Sequence, residues 1–280
     1  MIEKQAEKKT YLEQILQQIT QKDCAVAFSG GVDSALLLKM TKDASKKNNR
    51  QVYALTMQTM LHPTAEMEHA IHTAEEIGVK HQIISVDELL EAEMEHNPVD
   101  RCYRCKKLLF SRMKETAAEF GVTTILDGTN ADDLKVYRPG LQAIRELGIQ
   151  SPFAQAEITK EQIRMWAKEY GLSVSDRPAM PCLATRFPYG AELSYEKMHT
   201  VAKGEAYLHK LGFYNVRLRV YDDLLRIEVD SKELEQLLEK KREVVEKMKS
   251  LGYHYITLDL EGFRSGSMDI GIGNAYNKNV

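Results

Sequence analysis

Cys102 and Cys105 form a C-x-x-C pair in a chain of 280 residues that has only four cysteines. A third cysteine, Cys182, follows much later in a segment rich in proline and glycine. In a reducing compartment, a close cysteine pair indicates a metal site or a redox pair. A structural zinc site usually brings a second close pair, and a redox pair would not need Cys182. Three cysteines without an evident fourth ligand suit a [4Fe–4S] cluster with one open iron, although zinc, redox chemistry and unrelated thiols remain alternatives.

The cysteine pair opens a predicted helix whose apolar residues recur at helical spacing until Gly121. A helix N-terminus favours the thiolate form of a cysteine, and basic neighbours act in the same direction. Those neighbours are Arg101, Arg104, Lys106 and Lys107. We therefore predict that both sulfurs of the pair are held as thiolates. The fourth cysteine, Cys24, lies in a short apolar run and is predicted to be buried core.

A second chemical signal is the motif Ser-Gly-Gly-Val-Asp-Ser at 29–34, between the apolar run 24–28 and a helical pattern. Paired glycines allow a tight turn that directs backbone N–H groups to one point, and the helix N-terminus adds partial positive charge. Phosphate is therefore the predicted ligand, although a glycine pair alone would also fit an ordinary turn. Asp33 would repel phosphate unless a cation such as Mg²⁺ lies between them. The predicted phosphate-site residues are Ser29, Gly30, Gly31, Asp33 and Ser34.

The elements around these motifs alternate between short apolar runs and helical patterns. The predicted strands are 24–28, 52–57, 83–86 and 122–126, and the predicted helices include 67–77 and 109–120. This alternation predicts an α/β fold of βαβ units, with a mainly parallel sheet and helices on both faces. Ligands of such sheets bind beyond the carboxyl ends of the strands. The segment 127–133, Asp-Gly-Thr-Asn-Ala-Asp-Asp, directly follows the fourth strand, so Gly128 is predicted on the same rim as the 29–34 loop.

The segment 178–190 is rich in proline and glycine and is predicted to be a long loop. We place a domain boundary after it. Residues 1–190 would then form the nucleotide domain, and residues 191–280 a smaller C-terminal α/β domain that contributes to an anion site and to oligomerisation. The elements predicted there are helices at about 195–211 and 232–250 and strands at 216–220, 225–229 and 255–260.

Charged residues in the C-terminal part indicate an anion site. Arg217 and Arg219 alternate with apolar residues, so both face one side of a predicted strand. A solvated strand face is the ordinary explanation, whereas a substrate with carboxylates and a phosphate would favour forked guanidinium contacts. Glu205 falls inside the apolar stripe of a predicted helix. A buried carboxylate needs a partner, such as a nearby arginine; a position at the edge of the stripe is the alternative.

Composition sets limits on the class of protein. The chain is 43% hydrophobic and 28% charged, which suits a soluble globular protein, and its formal net charge of −3 does not favour a nucleic acid partner. The N-terminal residues lack the apolar core of a signal peptide, and no apolar run approaches the length of a membrane span. Together with the few cysteines, these features predict a cytoplasmic protein without a membrane partner.

With these motifs in place, the sequence resembles the PP-loop ATP pyrophosphatase superfamily, whose signature is S-G-G-x-D-S. Members cleave ATP between the α and β phosphates and adenylate an oxygen, after which a nucleophile displaces AMP. Over nearly the whole chain the sequence is also similar to the LarE-type sulfur transferases of that superfamily. The matching segments are 138–140, 181–190, 216–219 and 258–266. The resemblance implies a pyridinium-3,5-biscarboxylic acid mononucleotide substrate, on the route to the nickel-pincer nucleotide, a sulfide or other sulfur donor, and a homo-oligomer.

The resemblance also implies cofactors and roles for particular residues. The cofactors would be ATP, Mg²⁺ and, in the subgroup that has the C-x-x-C, a [4Fe–4S] cluster bound by Cys102, Cys105 and Cys182. Members without the C-x-x-C instead sacrifice the cysteine that matches Cys182 as the sulfur atom. The expected catalytic residues are Cys182, Asp33, Arg186 and Glu205, with Asp33 as the Mg²⁺ ligand. Gly128, Arg217, Arg219 and Glu228 would join the 29–34 loop in binding nucleotide and substrate.

Three other functions are compatible with parts of this pattern. A cluster-dependent tRNA thiolase would also combine a PP-loop with three cysteines, but the mild negative charge argues against it. An amide-forming PP-loop synthetase would use ammonia as the nucleophile, and its cysteines would be incidental. A nucleotide-sensing module with a zinc clip would bind ATP without cleaving it.

Overall fold

The computed structural model describes residues 2–61, 64–135, 138–175, 182–264 and 266–269. The chain divides into two compact units, 1–60 with 64–93 and 100–179, and 61–63 with 94–99 and 180–280. The long continuous stretch of the second unit begins at residue 180, whereas the sequence predicts a domain boundary after residue 190. Within that unit, Nδ2 of Asn97 donates to the carbonyl oxygens of Phe187 and Pro188, both at 2.9 Å. These hydrogen bonds hold Phe187 and Pro188, which precede the predicted boundary, in the second unit. Residues 178–181 of the predicted loop lie outside the described residues.

The first unit contains the predicted parallel sheet. Its strands are β1 (Cys24–Ala27), β2 (Val52–Gln58), β3 (Lys80–Ser85) and β4 (Thr124–Leu126). Its helices are α1 (Ile2–Ile19), α2 (Val32–Lys46), α3 (Thr64–Ile77), α4 (Glu88–Glu91), α5 (Arg101–Glu119), α6 (Gly140–Glu146), α7 (Pro152–Gln155) and α8 (Lys160–Glu169), with a 3₁₀ turn at Asp133–Lys135. The strand order is β3-β2-β1-β4 and every pairing is parallel. The α/β fold class predicted from the sequence is therefore confirmed.

Both faces of the central strand β1 are buried, and its successive side chains point to opposite sides of the sheet. Val26 of β1 packs into one apolar cluster with residues of α1, α2 and α8. Its neighbour Ala25 packs into a second cluster with Phe110 and Met113 of α5. Cys24 lies in the first cluster, and burial raises the pKa of its thiol to about 12. It is buried core, as predicted.

The second unit is built on a smaller sheet. Its strands are β5 (Val216–Tyr221), β6 (Leu224–Val229) and β7 (Tyr255–Leu258), and its helices are α9 (Tyr195–Lys210), α10 (Leu234–Glu239) and α11 (Lys241–Ser250). Short 3₁₀ turns lie at Leu183–Arg186, Ser231–Glu233 and Ser267–Asp269. β5 and β6 are antiparallel, and β6 and β7 are parallel. The single helix predicted at 232–250 is wrong, since α10 and α11 meet at Lys240, where neither glycine nor proline marks the break.

No helix among the described residues has both the length and the apolar character that crossing a membrane requires.

Candidate active site

The loop between β1 and α2 forms the first part of the site. α2 begins at Val32, so Asp33 and Ser34 lie in its first turn rather than before it. The Oγ atom of Ser34 donates to the carbonyl oxygen of Gly31 at 3.0 Å and accepts from the backbone N–H of Ser29 at 3.2 Å. These bonds close the loop with its own side chains. The first N–H groups of a helix have no partner within that helix, so those of α2 suit an anion.

Gly30 shapes this loop in a way that no other residue could. Its φ is +74°, a left-handed conformation that costs other residues about 1–2 kcal/mol. A Cβ atom at this position would lie 2.9 Å from the Cα atom of Ala70 in α3. The close approach of the loop to α3 therefore depends on the missing side chain.

Replacement of Gly30 by alanine is expected to lower the free energy of unfolding by roughly 2–4 kcal/mol and to abolish ATP binding, because φ strain and a backbone clash add. Gly78 provides the matched control, since its φ is +73° and a Cβ there would meet no described atom within 4 Å. Gly78→Ala should therefore cost only about 1 kcal/mol. Urea unfolding and ATP titration of both variants test this. Equal losses of unfolding free energy and of ATP affinity in the two variants would show that the close approach to Ala70 contributes to neither.

The loop after β4 meets the first loop at the carboxyl ends of the strands. A Cβ atom on Gly128 would lie 3.1 Å from the Cβ atom of Asp33 and 3.2 Å from the backbone nitrogen of Ser34. The structure thus brings Gly128 against the 29–34 loop, on the shared rim that the strand order requires. Asp127, beside it, is buried and accepts hydrogen bonds from the hydroxyls of Thr129 and Ser151, which fix this second loop.

Two further side chains contact Asp33. Nδ2 of Asn130 lies 3.4 Å from its Oδ1 atom, and the ammonium of Lys160 contacts its Oδ2 atom. The amide of Asn130 is oriented because its Oδ1 atom accepts from the backbone N–H groups of Asp132 and Asp133, at 3.0 and 3.2 Å. Sequence reasoning missed both residues. Asn130 lies within the predicted rim segment, whereas Lys160 lies inside the capping box Thr159–Gln162, which marks only the start of a helix.

The carboxylate of Asp33 is a suitable ligand for Mg²⁺. It is partly exposed, and hard oxygen donors are what Mg²⁺ prefers. The described residues contain no group of three or more His, Cys, Asp or Glu side chains that could hold a metal ion. A Mg²⁺ ion that is held by one carboxylate and shares the phosphates of a nucleotide is a common arrangement in proteins, so the residues here fit an ion that arrives with ATP.

Cys102 lies in the first turn of α5 and is exposed, and Cys105 lies at the start of the second turn and is partly buried. Arg104 donates from Nε to both carboxylate oxygens of Asp100, at 2.8 and 2.9 Å. Lys107 pairs with a carboxylate of α6 as well. Two of the four basic neighbours are therefore engaged by carboxylates, which reduces the positive charge that they direct at the thiols.

Cys182 belongs to the second unit, where it is partly exposed and precedes the 3₁₀ turn Leu183–Arg186. Its carbonyl oxygen accepts from Oγ1 of Thr185 at 2.8 Å and from Nη1 of Arg186 at 3.3 Å. The same Nη1 atom donates to Oγ1 of Thr185 at 2.9 Å. Thr185 and Arg186 thus fix the backbone at Cys182. The sequence held no separate signal for Thr185.

Arg186 is fully buried and pairs with Glu205 of α9 through two bonds of 2.8 Å, Nε to Oε1 and Nη2 to Oε2. Oε1 of Glu205 also accepts the backbone N–H of Leu218 at 3.0 Å. The predicted arginine partner of Glu205 is confirmed. The pair connects α9, β5 and the turn at Cys182.

Arg217 and Arg219 are buried as well, with 6% and 4% of their surfaces exposed, so a solvated strand face is the wrong explanation. Nη2 of Arg219 lies 2.9 Å from Oε2 of Glu228, and its Nη1 donates to the carbonyl oxygen of Thr185 at 2.8 Å. Burial, followed by the positive charge of Arg186, lowers the pKa of Arg217 to about 10. Arg217 therefore keeps its charge at neutral pH.

Five predicted residues meet in this cluster of the second unit. They are Arg186, Glu205, Arg217, Arg219 and Glu228. Three are cations and two are carboxylates, so the cluster carries a net positive charge in a region with little water. Such an arrangement favours an anionic ligand, since guanidinium groups match carboxylate and phosphate geometry.

Comparison with known proteins gives one family match and three relatives. The family model of the PP-loop domain matches residues 4–147. The chain is 38% identical over 254 residues to the pyridinium-3,5-bisthiocarboxylic acid mononucleotide synthase of Lactiplantibacillus plantarum. The aligned residues cover 91% of this chain and 90% of that protein. An uncharacterized protein of Synechocystis sp. is 37% identical over 246 residues, 87% of this chain and 91% of its own. An NH(3)-dependent NAD(+) synthetase of Campylobacter jejuni is 34% identical over only 67 residues, 24% of this chain.

Proposed function

Because this chain belongs to the LarE-type branch of the PP-loop ATP pyrophosphatase family, we propose that it is an ATP-dependent sulfur transferase. Its substrate would be pyridinium-3,5-biscarboxylic acid mononucleotide, whose carboxylates it would convert to thiocarboxylates. The observation that carries the proposal is the fixing of Cys182 by Arg186, itself paired to Glu205, within a buried cluster of net positive charge. A sulfur-bearing residue beside an anion site is what this reaction needs.

The first step is activation of a substrate carboxylate at the PP-loop. The N-terminal N–H groups of α2 and the hydroxyls of Ser29 and Ser34 would hold the phosphates of ATP. A carboxylate oxygen of the substrate attacks the α-phosphorus, the bond to the β-phosphate breaks, and pyrophosphate leaves. Asp33 would hold Mg²⁺, which neutralises phosphate charge when it is bound. The product is a mixed anhydride with AMP as a good leaving group.

The second step needs the substrate to be held while sulfur reaches the activated carbonyl. Arg217 and Arg219 would bind the phosphate and the remaining carboxylate, because forked guanidinium contacts orient such groups. Glu228 and Glu205 would keep the arginines in place. AMP leaves when the carbon–sulfur bond forms.

Cys102, Cys105 and Cys182 would together hold a [4Fe–4S] cluster, which would supply the sulfur for the reaction at the oxidation level of sulfide. All three are at least partly exposed, whereas Cys24 is buried, and this pattern fits cluster ligands. In the alternative form of the same reaction, Cys182 itself gives up its sulfur and the protein works once.

The test is iron and sulfide analysis after anaerobic reconstitution, with EPR, of wild type, Cys105→Ala and, as a matched thiol control, Cys24→Ala. We expect about four irons and four sulfides per chain, lost in Cys105→Ala and kept in Cys24→Ala. Thiocarboxylate formation should then continue for many turnovers. Iron-free protein that stays active over many turnovers would refute the cluster. A single turnover with loss of the mass of H₂S from Cys182 would identify Cys182 as the donor.

The same preparations separate the rival functions and the remaining partners. Tight tRNA binding with a steep salt dependence would favour a tRNA thiolase. Full activity of a variant with Cys102, Cys105 and Cys182 all replaced by alanine would favour an amide-forming synthetase. We also propose that the protein forms a homo-oligomer, and sedimentation tests this.

A further inference from the structure

Lys160 lies at the phosphate site of the first unit, although no sequence motif points to it. Its ammonium contacts Oδ2 of Asp33, the carboxylate that we propose as the Mg²⁺ ligand. Its position follows from the packing of α8. Thr159 caps that helix in a capping box with Gln162, and the apolar face of α8, including Trp166, shares a cluster with α2.

The backbone of Lys160 is held independently of its side chain. Its N–H donates to Oδ2 of Asp132 at 2.9 Å. The side chain is about one third exposed, at 34%. A lysine ammonium is a compact charge on a flexible stem, so it can leave Asp33 without any movement of α8.

Mg²⁺ bound at Asp33 would repel the ammonium of Lys160, because both are cations close to the same carboxylate. When the ion arrives with ATP, this repulsion favours movement of the ammonium to the phosphates, which bring additional negative charge to the loop. We infer that Lys160 is a nucleotide-binding residue that occupies Asp33 in the free protein and transfers to the phosphates when Mg²⁺ and ATP bind. This inference rests on the proposed use of ATP and Mg²⁺ at this loop.

If the ammonium transfers in this way, removal of Lys160 should change the affinities for metal and for ATP in opposite directions. Lysine competes with a metal ion that comes alone, so its removal should strengthen metal binding. It supports the nucleotide, so its removal should weaken ATP binding. A residue that only stabilised the loop would not change the two affinities in opposite directions.

The experiment compares wild type, Lys160→Met and Lys135→Met. Lys135 is the matched control, since its Nζ lies 2.7 Å from Oδ1 of Asp132 and its removal takes away the same charge close by. Mn²⁺ alone is titrated by EPR, and the non-hydrolysable analogue α,β-methylene-ATP is titrated by calorimetry with Mg²⁺. For Lys160→Met we expect Mn²⁺ binding about two- to fivefold tighter and analogue binding about tenfold or more weaker. Lys135→Met should match wild type in both.

Unchanged or weaker Mn²⁺ binding in Lys160→Met, or unchanged analogue binding, would overturn the inference. Lys160→Arg keeps the charge and should show no tightening of Mn²⁺ binding; it also serves if the methionine variant does not fold. Wild type that binds no analogue at all would instead refute the proposed function. The two failures are therefore distinguishable.

Discussion

Glu205→Gln is expected to lower the free energy of unfolding by about 3–5 kcal/mol, because it leaves the buried Arg186 without its counter-charge. Arg186 has no exposed surface, and both of its bonds to Glu205 are 2.8 Å long. An amide keeps the shape of the side chain, removes the charge and replaces one of the two acceptor oxygens by an NH₂ donor. The loss should appear in urea unfolding. Faster hydrogen exchange is expected at the N–H of Leu218, which Glu205 accepts.

The control for this prediction is an exposed ion pair on the same unit. Glu192 lies 3.7 Å from Lys197, with 75% of its side chain exposed. Glu192→Gln should change stability by no more than about 0.5 kcal/mol. An apolar double variant, Arg186→Met with Glu205→Leu, should recover part of the loss since no buried charge remains. A cost below about 1 kcal/mol for Glu205→Gln would contradict the idea that this pair is isolated from water.

Asp33→Asn is expected to slow the cleavage of ATP to AMP and pyrophosphate by roughly 10²- to 10³-fold, because a metal that stabilises phosphate charge contributes several kcal/mol to the transition state. Stability should change little, since the carboxylate is partly exposed and its pairing with Lys160 is of the weak surface type. Pyrophosphate release in the presence of the substrate measures the effect.

Asp43→Asn is the matched control for Asp33→Asn. Asp43 lies in the same helix, has similar exposure and also pairs with a lysine, Lys39, at 3.0 Å. It lies in the fourth turn of α2, away from the phosphate loop. Its replacement should leave ATP cleavage unchanged. If Asp33→Asn cleaves ATP as fast as Asp43→Asn, the carboxylate of Asp33 takes no part in the reaction.

Local residue patterns predicted most of the fold. Short apolar runs separated by helical stripes specify parallel strands, and Val26 and Ala25 show that the central strand β1 is buried on both faces. The prediction failed where the residue type carries no local signal, as at the break between α10 and α11 at Lys240. The prediction also placed Asp33 before α2, whereas Asp33 lies in the first turn of that helix. The residues of the motif suit positions before the helix start or just after it, so the motif alone does not fix where the helix begins.

The partners of charged side chains could be predicted from the sequence only in part. A carboxylate inside an apolar stripe must be neutralised, so the chain alone required a cation near Glu205. Only the tertiary structure decided that the cation is Arg186 and that the pair also holds Cys182. In the same way, the chain marked the phosphate loop at Asp33, and folding alone brought Lys160 to it. Helix and strand periodicity act between neighbours in sequence, whereas these contacts join residues far apart, whose meeting depends on how α8 packs on α2 and α9 on β5.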